Sequence, residues 1–148
     1  HKLEFLNLNA LLEQCLLTHV PLIRTEGGNF YPGVIDGIKK LAQHYPIGIV
    51  SNCTLDYLEL FIELSGLQRH VIDSECHGRT KLNKAESLQL VLERNQFHNS
   101  YYFGDTEGDS KAARQAGSKF CFAAYGFGHT VDYDFKFENF SQIIHHFI

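Results

Sequence analysis

Residues 101–109, YYFGDTEGD, end an aromatic run in Gly-Asp and set a second aspartate four residues after the first. The apolar run predicts a strand over 100–105, and GDSKAARQAG predicts a helix over 108–117. That strand would deliver Asp105 to the rim of a sheet, and Asp109 would stand in the first helical turn, near the positive end of the helix dipole. Two carboxylates about 4 Å apart repel by roughly 4 kcal/mol at an effective dielectric of about 20, a cost that a cation beside them offsets. A hard ion such as Mg²⁺, bound by one or two carboxylates together with water and a phosphate, suits such a pair. The plainer reading of the same two residues is a helix cap at Asp109 and a turn residue at Asp105.

Two other places carry groups of matching chemistry. Ser51 and Asn52 follow the short β-branched run IGIV and precede a helix beginning near Thr54. A hydroxyl and an amide at a strand end, helped by a helix N-terminus, can donate to an anion; both residue types also serve as ordinary N-caps. Lys84, with Lys81 as the runner-up, stands just before or at the start of a helix in TKLNKAESL. A fixed cation there would offset the carboxylates and hold a phosphate, although most lysines at helix starts are simply solvated. His77 and His129 fall near strand ends, but no histidine pair has helical ligand spacing, so the nine histidines read as surface or partly buried groups.

The elements that must position these groups alternate along the chain. FLNLNALLEQCLL (5–17) reads as one or two helices, RTEGGN (24–29) as a loop, and VIDGIKKLAQHY (34–45) as an amphipathic helix with Val34, Ile35, Ile38 and Leu41 on one face. Strands are expected at 47–52, 70–76, 100–105 and 119–126, with helices at 54–66, 83–95, 108–117 and 141–148. Such alternation implies an α/β fold, a doubly wound parallel sheet with helices on both faces. Ligands bind such sheets outside the carboxyl ends of the strands, where Ser51-Asn52 and Gly104-Asp105 both fall. We divide the chain into an N-terminal helical segment, 1–28, and a core domain, 29–148.

Composition narrows the class. The chain has 148 residues, enough for one domain with a single core. It is 44% hydrophobic and 20% charged, which fits a folded globular protein, and a net charge of −4 gives no electrostatic reason to expect nucleic acid or an anionic membrane as partner. No apolar run approaches the roughly 20 residues of a membrane span. Cys15, Cys53, Cys76 and Cys121 form no C-x-x-C pair, so we expect reduced thiols and a cytoplasmic protein.

Taken in order, a serine at one strand end, a Lys-Ala-Glu-Ser-Leu helix start and FGDTEGD closely resemble the haloacid dehalogenase (HAD) superfamily of aspartate-nucleophile hydrolases. The resemblance covers about residues 30–128, and FYPGVIDGIKKL and AAYGFG share it. It implies a Rossmann-like core, with Ser51 as the phosphate-binding hydroxyl of the second motif, helped by Asn52, and Lys84 as the third-motif lysine. Asp105 and Asp109 match the fourth motif, G-D-x-x-x-D, which implies Asp105 as a Mg²⁺ ligand and Asp109 as support for the metal shell or the lysine. The expected activity is Mg²⁺-dependent hydrolysis of a small phosphorylated metabolite through an aspartyl-phosphate. The alternative is a catalytically inactive module of this fold that binds a phosphorylated ligand or a protein partner.

The first motif of that family, an apolar strand ending D-x-D-x-[TV], has no match here. Asp36 sits in a helical pattern, and the D-x-D of Asp132 and Asp134 follows GFGHT rather than a buried strand, so it reads as a surface loop. In the family fold the first-motif strand lies between the strands that here end at Ser51 and Asp105. We therefore expect an N-terminal segment upstream of His1 that carries the nucleophile, residues 1–28 as the remnant of a helical cap, and a sheet that these 148 residues alone leave interrupted.

Overall fold

The five strands of the structure, a computed structural model that describes residues 8–148, form two parallel sheets rather than one. The first pairs β1 (Ile47–Ser51) with β2 (Val71–Cys76), and the second runs β3 (Tyr101–Gly104), β4 (Lys119–Ala123), β5 (Phe135–Phe137). Register aligns Ser51 with Cys76, Gly104 with Phe122, and Ala123 with Phe137. The connecting helices are α1 (Leu8–Glu26), α2 (Val34–Leu41), α3 (Leu55–Ser65), α4 (His77–Thr80), α5 (Lys84–Arg94), α6 (Glu107–Gln115) and α7 (Phe140–Phe147).

Side-chain alternation along β4 explains why helices cover both faces. Phe120 and Phe122 point one way and pack with Ala113 of α6, while Cys121 points the other way into Leu41, Phe137, Phe140 and Ile143 under α2 and α7. Phe120 and Cys121 are fully buried, and burying the Phe120 side chain contributes about 1.5–3 kcal/mol. On the strands, α5 packs against β1 and β2, and α6 against β3 and β4. This is the α/β architecture expected from the alternation of elements.

The interruption falls between β1 and β3. A cavity of about 460 Å³ separates them, lined by Ile47, Gly48 and Val50 of β1, by Tyr102 and Phe103 of β3, and by Val91 of α5. The Tyr102 hydroxyl crosses it to donate to the Val50 carbonyl, at 3.4 Å. Each strand is paired on its outer side, so the two backbone edges that face the cavity have no strand partner among the described residues.

Several boundaries depart from the sequence reading. Residues 24–26, expected in a loop, close the single long helix α1, which continues through Pro21; residues 5–7 of the expected helix lie outside the described residues. The helix α1 lies against α3, with His19 and Tyr57 rings 5.1 Å apart and Arg24 bonded to Glu63 at 3.1 Å. Strand β4 stops at Ala123, and residues 124–126 turn instead of extending it. The short α4 and β5 were not anticipated. Four residues are too few to show periodicity, and FKF within DYDFKFENF reads as a packing loop until β4 supplies its partner. No described helix is long and apolar enough to cross a membrane.

Candidate functional site

The end of β3 and the start of α6 are joined by two residues, Asp105 and then Thr106. Thr106 is the N-cap of α6, and its hydroxyl accepts from the Asp109 N–H at 3.1 Å while Asp109 reaches back to the Thr106 N–H at 3.0 Å. This reciprocal capping box satisfies two donors that a helix start leaves open. The helix therefore begins at Glu107, one residue before the expected start.

Asp109 does more than cap. Its Oδ2 also accepts from the Asp105 N–H (3.2 Å) and the Thr106 hydroxyl (2.7 Å), and its Oδ1 meets Lys84 Nζ at 2.5 Å. The residue is only 4% exposed, and both of its carboxylate oxygens are engaged in these bonds. Burial pulls its carboxyl upward, but the Lys84 and Thr106 hydrogen bonds outweigh it and hold the group below the usual carboxylate range. Of the two roles the motif implies for Asp109, lysine support is the one its contacts provide.

Lys84 rather than Lys81 reaches this carboxylate. Asn83 caps α5 in a second capping box with Glu86, which fixes Lys84 in the first turn and aims it across to α6. Lys81 instead closes α4 in a left-handed conformation (φ 61°) and donates to the Gly78 carbonyl at 3.0 Å.

Asp105 is half-buried, and its two oxygens are in different surroundings. Oδ2 accepts from the Phe127 and Gly128 N–H groups at 2.8 and 2.9 Å, whereas Oδ1 accepts no hydrogen bond among the described residues. Behind the pair, burial together with the charges of Asp109 and Asp105 pushes the Tyr102 phenol well above its ordinary range. That hydroxyl reaches the Val50 carbonyl across the cavity, one residue before the end of β1.

Ser51 ends β1, and its Oγ accepts from the Cys53 N–H at 3.3 Å, which leaves the hydroxyl proton available to donate. Asn52 follows, exposed. His77 and His129 have structural contacts, Nδ1 of the first with the Leu82 carbonyl and the second edge-on to Phe122. Asp36 is exposed on α2. Asp132 and Asp134 fasten α6 through Arg114, with Asp132 also accepting from the Ser110 hydroxyl, so the D-x-D pair is a surface clasp. Among the described residues no group of three or more His, Cys, Asp or Glu stands together as a metal cluster. The sequence reading missed Thr106 and the turn at 126–128. The first was visible as T-x-x-D, a capping-box pattern, while two glycines around a phenylalanine say nothing of what the turn holds.

Compared with known families, residues 8–123 match the haloacid dehalogenase-like hydrolases. The chain belongs to that family. Solved structures of HAD proteins share its fold. One is a haloacid dehalogenase-like hydrolase from Streptococcus pneumoniae, 18% identical, with a TM-score of 0.72 over 92% of this chain and 71% of that one. The HAD-hydrolase YfnB from Bacillus subtilis, bound to magnesium, is 24% identical, with a TM-score of 0.77 over 93% of this chain and 62% of that one. A predicted phosphoglycolate phosphatase from Haemophilus somnus is 19% identical, with a TM-score of 0.69 over 79% of this chain and 56% of that one. The chain thus spans 56–71% of the length of these three HAD structures. No curated protein matches the chain significantly.

Proposed function

We propose that this HAD chain supplies the cation- and phosphate-binding half of a Mg²⁺-dependent phosphohydrolase. The observation that carries the reading is the Asp105–Asp109–Lys84 cluster at the carboxyl end of β3, with Ser51 at the carboxyl end of β1 across the open slot. In this reading a strand bearing the attacking aspartate seats in that slot. It would pair with the free edges of β1 and β3 and end next to Asp105.

The donor set fits a hard cation. Asp105 offers one uncommitted carboxylate oxygen at a strand end, which suits an ion that takes one or two carboxylates and completes its shell with water and substrate phosphate. YfnB, bound to magnesium, is a relative of the same fold, which supports that choice of ion. When bound, Mg²⁺ would neutralise charge on the phosphoryl oxygens. Lys84, held at 2.5 Å by Asp109, adds a fixed positive charge, and the Ser51 hydroxyl, with Asn52 next to it, donates to a phosphoryl oxygen. Asp109 holds Lys84 and the Asp105 turn in place and does not touch the ion.

The substrate is a small phosphate monoester, and residues 1–28 are what this chain contributes to a cap over it. Binding of inorganic phosphate by the full-length protein in the presence of Mg²⁺, followed by calorimetry, tests the site. Ser51→Ala and Lys84→Met should each weaken binding by about tenfold, as expected for loss of one charged or polar phosphate contact of about 1.5 kcal/mol. Unchanged affinity in both variants would remove these residues from the phosphate site.

A further inference from the structure

The turn after β4 lies beyond the residues that match the family, yet it makes the closest contacts to Asp105. Phe127 and Gly128 both donate their backbone N–H groups to Oδ2, at 2.8 and 2.9 Å. The approach is close enough to require glycine on either side of Phe127. A Cβ at Gly126 would lie 2.4 Å from the Asp105 Cβ, and one at Gly128 would lie 2.4 Å from the Asp105 carbonyl oxygen. Phe127 is 97% exposed, and among the described residues its ring meets no aromatic ring other than that of Tyr31, 6.2 Å away, so the backbone rather than the side chain fixes this turn on the aspartate.

We infer that Gly126–Phe127–Gly128 is a collar that positions Asp105 for Mg²⁺ and against Ca²⁺, by tying up one carboxylate oxygen and presenting only the other. A carboxylate held in this way binds a cation through one oxygen. That suits the octahedral shell of Mg²⁺, while Ca²⁺ readily takes both oxygens of a carboxylate in its larger shell. The collar is a positioning element and not a ligand. Partners that orient metal-binding carboxylates typically change metal affinity by about 10- to 100-fold when removed.

The inference rests on the cation assignment proposed for Asp105, and three variants of the full-length protein separate the two. Phe127→Pro removes the N–H at position 127, Phe127→Ala removes only the ring, and Asp105→Asn removes the ligand. Mg²⁺ and Ca²⁺ affinities are measured by calorimetry, with circular dichroism confirming the fold. Phe127→Ala should keep both affinities within about twofold, whereas Phe127→Pro should weaken Mg²⁺ by about tenfold and shift the Mg²⁺/Ca²⁺ preference toward Ca²⁺. If Phe127→Pro does not fold, Gly128→Ala, which pushes on the Asp105 carbonyl, should give the same shift. Mg²⁺ binding that is lost in Asp105→Asn but keeps its affinity and preference in the collar variants overturns the collar alone. Binding unchanged in Asp105→Asn overturns the cation assignment and the collar with it.

Discussion

Lys84 Nζ and Asp109 Oδ1 meet at 2.5 Å and join the first turn of α5 to the first turn of α6. A lysine in a helix's first turn faces the positive end of the dipole, a poor place for a cation, so the carboxylate opposite offsets a local cost as well as making a bond. Asp109 in turn is buried and accepts three further hydrogen bonds from Asp105 and Thr106. The pair thus ties the lysine to the same turn that aims Asp105.

This coupling is measurable. Asp109→Asn and Lys84→Met should each destabilise the protein by about 2–4 kcal/mol, because each leaves the other charge without its partner in a partly buried site. The double variant should lose less than the sum, with an interaction of about 1–3 kcal/mol in a denaturation cycle. Strict additivity would mean that the contact does not form in solution.

The same pair sets an acid limb to stability. The folded-state pKa of Asp109 is depressed, so its contribution is fully present above the unfolded value of about 4 and is lost as pH falls through the folded value. Asp73 behaves alike: burial pulls it up, and the Arg94 and Asn95 hydrogen bonds pull it further down. Stability should therefore stay level from about pH 7 to 5 and fall below about pH 4, and Asp109→Asn should flatten part of that fall in acid titrations followed by circular dichroism.

Thr106 gives a control of different character. Thr106→Val keeps the shape but removes the cap hydroxyl, which should cost about 1 kcal/mol in stability. Because the hydroxyl touches Asp109 and not the free oxygen of Asp105, Mg²⁺ affinity should change by less than about threefold in calorimetry.

The open slot predicts a pattern of hydrogen exchange. In the 148-residue chain, β4 is paired on both sides while β1 and β3 each face the cavity on one. Amides of β1 and β3 should exchange roughly tenfold faster than those of β4, and this gap should narrow when a strand fills the slot. Equal protection of all three in the 148-residue chain would contradict the two unpaired edges.

The sequence made much of this legible, for physical reasons. Strong periodicity placed α2, α3, α5 and α6, and the short β-branched or aromatic runs placed β1 to β4, because each of these elements carries its pattern within itself. Asp105, Asp109 and Lys84 stood out because a fixed spacing maps directly onto a strand end and a helix start. The strand β5 and the turn at 126–128 did not, since their roles depend on partners far along the chain: β4 for one, the Asp105 carboxylate for the other. The choice between Lys84 and Lys81 also needed three dimensions, because it turns on the cap at Asn83 and the left-handed residue at Lys81.

The decisive measurement is hydrolysis of a generic phosphate monoester by the full-length protein, titrated with Mg²⁺ and compared with Asp105→Asn. Turnover should depend on Mg²⁺ and fall by at least about a hundredfold in the variant, the size of effect typical of removing one group that stabilises transition-state charge. Equal rates for the two proteins, or turnover indifferent to Mg²⁺, would contradict the proposed function.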